Sequence, residues 1–131
     1  MKDEEYCFAC GEENPFGLHL KFEMEDDSLV AKKIVPREFQ GYSGIVHGGI
    51  VTTLLDEAMS KFIQKKFHEQ ALTGRLEIRY RNPTPTEQEL KISAWQESQR
   101  RNIIAMKSKI ETADGIVTAE ATAKFAVVDA L

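Results

Sequence analysis

Residues 48–67 are the one stretch of this chain with a sustained helical period. Val51, Leu54, Leu55, Ala58, Met59 and Phe62 recur at spacings of three and four and form a single apolar stripe. A helix of that length would span roughly 30 Å. The rest of the chain is patterned for strands. Leu18, Leu20, Phe22 and Met24 alternate with polar residues, Asp26-Asp27-Ser28 reads as a turn, and 29–35 reads as a second strand. Beyond the helix, Leu76, Ile78 and Tyr80 alternate with Arg75, Glu77, Arg79 and Arg81. Leu90, Ile92 and Ala94 mark a further strand, and Ile104, Met106, Ser108 and Ile110 another. Asp114-Gly115 is a hairpin turn signal, and Val117 to Val127 puts three alanines at alternate positions on one face. Two strands, one long helix and then antiparallel strands predict an α+β domain in which one sheet covers one side of the helix. The small alanine face would let helix and sheet approach closely. The 131 residues suit a single domain, 1–131.

The start of the helix carries the chemistry. His47-Gly48-Gly49 opens it, and a lone carboxylate, Asp56, stands just over two turns inside. A helix start presents unpaired N–H groups and a positive dipole end, and glycines there let a ligand come close. An oxygen that is or becomes anionic could sit on those donors, with Asp56 as base or nucleophile on the same centre. That pairing points to acyl-group chemistry. Gly48 and Asp56, however, lie about 12 Å apart along a helix. A base and an oxyanion donor must both come within about 3 Å of one reacting group. If both act on one carbonyl, they must come from two copies of the helix.

Each of these residues also has a plainer reading. Asp56 has mixed neighbours, Thr52, Met59, Ser60 and Ile63. His47 could act as a base or simply order the loop, and Gly48 and Gly49 could serve only packing. Glu57 is expected on the solvated face, paired with Lys61 at i+4. Arg75, Arg79, Arg81, Arg100 and Arg101 read as a solvated strand face, with the phosphates of a nucleotide-bearing ligand as the alternative. The loop 36–47 is long for so small a domain, and such loops are often functional.

Composition narrows the function classes. Hydrophobic residues make up 42% and charged residues 29%, which is globular, and the net charge of −4 argues against a general nucleic-acid binder. No apolar run approaches a membrane span, and Met1-Lys2-Asp3-Glu4-Glu5 lacks the apolar core of a signal peptide, so the expected location is cytoplasmic. The two cysteines, in Cys7-Phe8-Ala9-Cys10-Gly11, do not complete a four-ligand zinc site alone. His19 or a second chain could add ligands. A packed N-terminal turn is the main expectation, with metal and redox roles as alternatives.

His47-Gly48-Gly49, Leu54 and Asp56 on the helix, the lead-in Phe39-Gln40-Gly41-Tyr42, and the entry Cys7 to Gly11, Asn14-Pro15, Gly17-Leu18 together resemble the hotdog-fold acyl-CoA thioesterases, particularly the phenylacetate-degradation type. The resemblance runs from Leu18 to Val127. It implies a curved antiparallel sheet wrapped around the helix, and subunits that join sheets side by side as a homodimer or dimer of dimers with a shared active site. It further implies an acyl-CoA substrate polarised by the Gly48 N–H and attacked with the help of Asp56 from the partner chain. His47 would order the loop or the thioester end, with Gly49 beside it. Gln40, or Gly41 one step along, matches a position where relatives use an amide to hold the nucleophile or water. Ser60 and Thr73 match positions that carry a hydroxyl near the acyl group. No metal or bound cofactor is implied, coenzyme A being part of the substrate. The alternatives are a hotdog dehydratase or hydratase and a non-catalytic acyl-CoA binding protein.

Overall fold

A computed structural model describes residues 4–130, with side chains through Val128; Met1–Asp3 and Leu131 lie outside the described residues. After a 3-10 turn at Glu4–Tyr6, the chain runs through β1 (Glu23–Glu25), β2 (Ser28–Ile34), a second 3-10 turn (Arg37–Phe39), α1 (Gly48–Phe67), β3 (Glu69–Tyr80), β4 (Glu89–Arg100), β5 (Ile103–Thr112) and β6 (Val117–Ala130). All strand pairs are antiparallel, and they make one six-stranded sheet in the order β1-β2-β4-β5-β6-β3. The sheet curves around the single long helix, which is the hotdog architecture the resemblance implies. Among the described residues, no helix is long and apolar enough to cross a membrane.

The helix forms where the periodicity places it. Its stripe, Val51, Leu54, Leu55, Ala58, Met59 and Phe62, is buried, and Ile63 extends it. This face packs against β2, β3, β4, β5 and β6. Opposite it lie Leu90, Ile92, Ile104, Met106 and Phe125, all buried, and the small Ala119, Ala121 and Ala123 of β6. Each fully buried large apolar side chain contributes about 1.5 to 3 kcal/mol of transfer free energy, so this one interface dominates the fold. Lys65 and Lys66 in the last turn suit the negative end of the dipole. His68 ends the helix in the left-handed conformation at φ 55°, its N–H bonded to the Gln64 carbonyl. That single residue reverses the chain, so β3 runs back along the helix it has just left.

The structure departs from the sequence pattern at two strands. Leu18, Leu20 and Phe22 are buried in alternation as expected, but the ladder begins only at Glu23, and Met24 is exposed. The reason is local. Leu18 and Leu20 donate their N–H groups to the Phe8 and Ala9 carbonyls of the entry segment, and His19 between them has φ 53°. Strand β3, in turn, starts six residues before the alternation that marks it. Its register with β6 breaks between Thr73 and Arg75, which leaves Gly74 as an unpaired bulge. Thr73, opposite Phe125, therefore faces the helix together with Leu76, Ile78 and Tyr80 despite the odd spacing. β3 pairs only with β6, so its outer edge is open among the described residues.

Leu54 sits at the centre of the helix–sheet interface with no exposure. Leu54→Ala should cost about 2 to 5 kcal/mol of stability, read as a shift of the urea midpoint at unchanged m-value. A loss below about 1 kcal/mol would mean that the helix is not seated on this residue.

Candidate active site

The loop that delivers α1 is fastened at several points. The Phe39 carbonyl accepts the His47 N–H at 2.9 Å, the Thr84 carbonyl accepts that of Val46 at 2.8 Å, and the Ile45 carbonyl accepts that of Gly41 at 2.9 Å. Gln40 Oε1 accepts the Gly44 N–H at 3.2 Å. The expected amide residue therefore braces the loop through its oxygen.

His47 is the helix N-cap. Its Nδ1 accepts the Gly49 N–H at 2.9 Å, and its carbonyl accepts those of Ile50 and Val51. This contact fits the ordering reading of His47, which also lines the groove beside Gly48. With Gly49 satisfied by the imidazole, the Gly48 N–H has no protein acceptor among the described residues, and Gly48 is exposed. A lone donor at the positive end of a buried helix is suited to an oxygen that gains charge. It opens on a groove of about 700 Å³ lined by Tyr42, His47, Gly48, Tyr80, Arg81 and Pro83 among others. Asp56 and Thr73 do not line it.

Tyr80 is the residue that the sequence reading passed over. Its hydroxyl donates to the Gly48 carbonyl at 2.9 Å and lies 2.9 Å from Thr52 Oγ1. It thereby ties the first turn of α1 to the end of β3. The strand alternation already put Tyr80 on the inward face; what it met there depended on the reversal at His68. Arg81, one step further, pairs with Glu120, whose carboxyl is held below its ordinary value by that guanidinium.

Asp56 lies one turn beyond Thr52 on the same flank, half-buried. Thr73 Oγ1 donates to its Oδ1 at 2.8 Å. Thr73, expected near an acyl group, thus acts first on the carboxylate, and the Gly74 bulge is what turns it there. Burial pushes the Asp56 carboxyl above its ordinary value, and the Thr73 hydrogen bond opposes this with a smaller effect. Ser60, the next residue of the i+4 row, is half-buried.

One expectation and one alternative fail on the opposite flank. Glu57 is not on a solvated face paired with Lys61. It is half-buried, Cys7 Sγ lies 3.8 Å from its Oε2, and Lys61 bonds Gln64 instead. The entry segment covers that flank, a tertiary contact that helical periodicity cannot report. His19 does not join the cysteines; its Nε2 is bound to the Asn14 carbonyl at 2.7 Å. Burial, with Glu57 nearby, raises the Cys10 thiol far above its ordinary value.

The family model of the thioesterase superfamily matches residues 43–119, the loop end, the helix and most of the sheet. The chain belongs to that superfamily. Among solved structures, a thioesterase superfamily protein aligns at 27% identity with a TM-score of 0.85 over 93% of this chain. This chain spans 60% of that protein's length. A hypothetical thioesterase protein with coenzyme A from Streptococcus pneumoniae aligns at 23% identity and a TM-score of 0.77, covering 85% of this chain and 90% of its own. A phenylacetic acid degradation-related protein from Ralstonia eutropha aligns at 22% and 0.74, covering 85% and 86%. The last two likenesses concern the fold. No curated protein matches the chain.

A carboxyl with a raised native value binds its proton more tightly folded than unfolded. Its contribution to stability is therefore greatest below the unfolded value and falls as pH rises through the folded one. Asp56→Asn should be at least as stable as the parent near neutral pH, with the gap closing toward the ordinary aspartate range in thermal scans at a series of pH values. A variant less stable at neutral pH but not in acid would reverse the assigned direction.

Proposed function

We propose that this protein is an acyl-CoA thioesterase, hydrolysing a thioester to the free acid and coenzyme A. The observation that carries this reading is the unpaired Gly48 N–H at the start of a buried helix whose half-buried carboxylate lies eight residues on. The Gly48 N–H is the oxyanion donor, and Asp56 is the general base or nucleophile. As base, Asp56 takes a proton from water while the water oxygen bonds to the thioester carbon. The tetrahedral oxyanion then collapses, the C–S bond breaks, and the departing thiolate takes the proton back. As nucleophile, the carboxylate bonds to the carbon first and the coenzyme A thiolate departs as the C–S bond breaks; water then cleaves the resulting anhydride, which frees the acid, restores the carboxylate and supplies the proton the thiolate takes up. His47 keeps the helix start in shape, Gly49 closes its cap, Gln40 braces the loop, and Ser60 and Thr73 stand beside the carboxylate.

The site is shared between two chains in this reading. Helix rise separates Gly48 from Asp56 by about 12 Å, Asp56 does not line the groove beside Gly48, and the open edge of β3 offers a second chain a place to pair. A homodimer or a dimer of dimers satisfies these constraints.

A panel of acyl-CoAs assayed by free-thiol release tests the activity. Asp56→Asn should keep the oligomer and the affinity for substrate analogues while kcat falls by roughly 10²-fold or more. Near-normal kcat in a folded variant would remove the proposed base. Binding of acyl-CoAs without turnover by the parent protein would leave a binding function instead. Light scattering on the active protein should give at least twice the chain mass, and a monomer with full activity would refute the shared site.

A further inference from the structure

The flank of α1 opposite to Thr73 carries a second chemical cluster that thioester hydrolysis does not use. Cys7, Cys10 and Glu57 bring two sulfurs and a carboxylate oxygen within 4.8 Å of one another, all three half-buried. The cluster joins residues fifty positions apart: Cys7 Sγ lies 3.8 Å from Glu57 Oε2. Around a tetrahedral zinc-class ion, neighbouring sulfur and oxygen ligands stand about 3.5 to 3.8 Å apart, given Zn–S and Zn–O bonds of about 2.3 and 2.0 Å. The observed spacing, no more than 4.8 Å, therefore needs a contraction of about 1.3 Å at most to close on an ion.

The turn that carries the cysteines is held by backbone hydrogen bonds. The Gly11 N–H bonds back to the Cys7 carbonyl at 2.8 Å, and the Cys7 N–H to that of Glu4 at 3.1 Å. A Cβ at Gly11 would run into the Glu5 carbonyl and the Cys7 nitrogen, so only glycine fits directly after the second cysteine. Cys10 opens on a groove of about 700 Å³ whose lining includes Glu4, Glu5, Glu12 and Glu13, partly offset by three lysines. Such a rim suits a cation more than an anion.

We propose that Cys7, Cys10 and Glu57 bind one zinc-class divalent cation through two thiolates and one carboxylate, the fourth position facing the acidic groove. Thiolates select zinc over magnesium or calcium. Binding releases the two thiol protons to solvent, and no redox change is involved. The ion ties the entry segment to α1 at the residue next to Asp56. It is a structural clamp and takes no part in the thioester chemistry.

The test is titration of the reduced, chelator-stripped protein with cobalt(II) as spectroscopic probe and zinc(II) as competitor. The expected result is one equivalent of cobalt with thiolate-to-metal charge transfer and the strong visible bands of a tetrahedral site, displaced by zinc. Zinc should also raise the melting temperature, and a chelator should reverse the rise. Glu57→Gln keeps both thiols and should weaken cobalt affinity by at least about tenfold; Cys7→Ser with Cys10→Ser should abolish the charge-transfer band. Absence of that band in the parent protein overturns the proposal without reference to any variant's folding. So does unchanged cobalt affinity in folded Glu57→Gln. Because the readouts are spectroscopic and thermal, they stand whether or not the protein hydrolyses acyl-CoA.

Discussion

The burial of one face of a single long helix is the interaction on which the rest of this molecule depends. The twenty-residue helix buries its apolar stripe against a sheet of long strands, whose twist lets the sheet curl around it. The alanines of β6 permit that approach, and the large side chains of β4 and β5 fill the space beside it. Because β3 returns along the helix through one left-handed residue, the sheet ends at the helix flank and does not enclose it. The N-terminus of the helix and one flank are left at a boundary between core and solvent. A polar group there can be desolvated and still reached by a substrate.

That boundary is used as a seam. Gly48, Thr52, Asp56 and Ser60 stand at intervals of four on one flank of α1. Tyr80 engages the first two from the end of β3, and Thr73 engages the third from beyond the bulge. These hydrogen bonds fix the helix in azimuth as well as in position, which apolar packing alone does loosely. Rotating the helix by one residue would bring Glu57 toward β3 and Asp56 into the core. The polar row therefore sets the orientation of the Gly48 donor as firmly as the His47 cap does.

The helix was legible from the sequence because burial on one face writes a period into the residues, and because the two glycines mark its start. The strands after it were legible by alternation for the same reason. The β3 bulge was not, although a lone Gly74 in a strand pattern is the one local signal such a feature leaves. Tyr80 escaped notice because its partners are set by how the chain reverses at His68, which composition does not encode. Glu57 failed for a related cause. Periodicity separates the core face from the rest, but it cannot say which part of the rest a neighbouring segment will cover. The entry segment carries no periodic signal, and the cluster it forms with α1 appears only once the chain is folded.

Asp56 shows why a catalytic carboxylate would belong at such an edge. In full solvent an aspartate is a weak base, since its proton affinity lies far below what abstraction from water needs. Deep in the core it would hold its proton at neutral pH and could not act as a base at all. Half-burial raises its basicity, and the single hydrogen bond from Thr73 favours the ionised form and limits the rise. The two effects oppose each other on one side chain, and both come from the place where the sheet stops. Extending β3's coverage would bury the carboxylate further and raise its proton affinity; removing it would solvate the carboxylate and free the helix end. The incomplete wrap is thus the arrangement that raises this aspartate's basicity while keeping the one hydrogen bond that favours its ionised form.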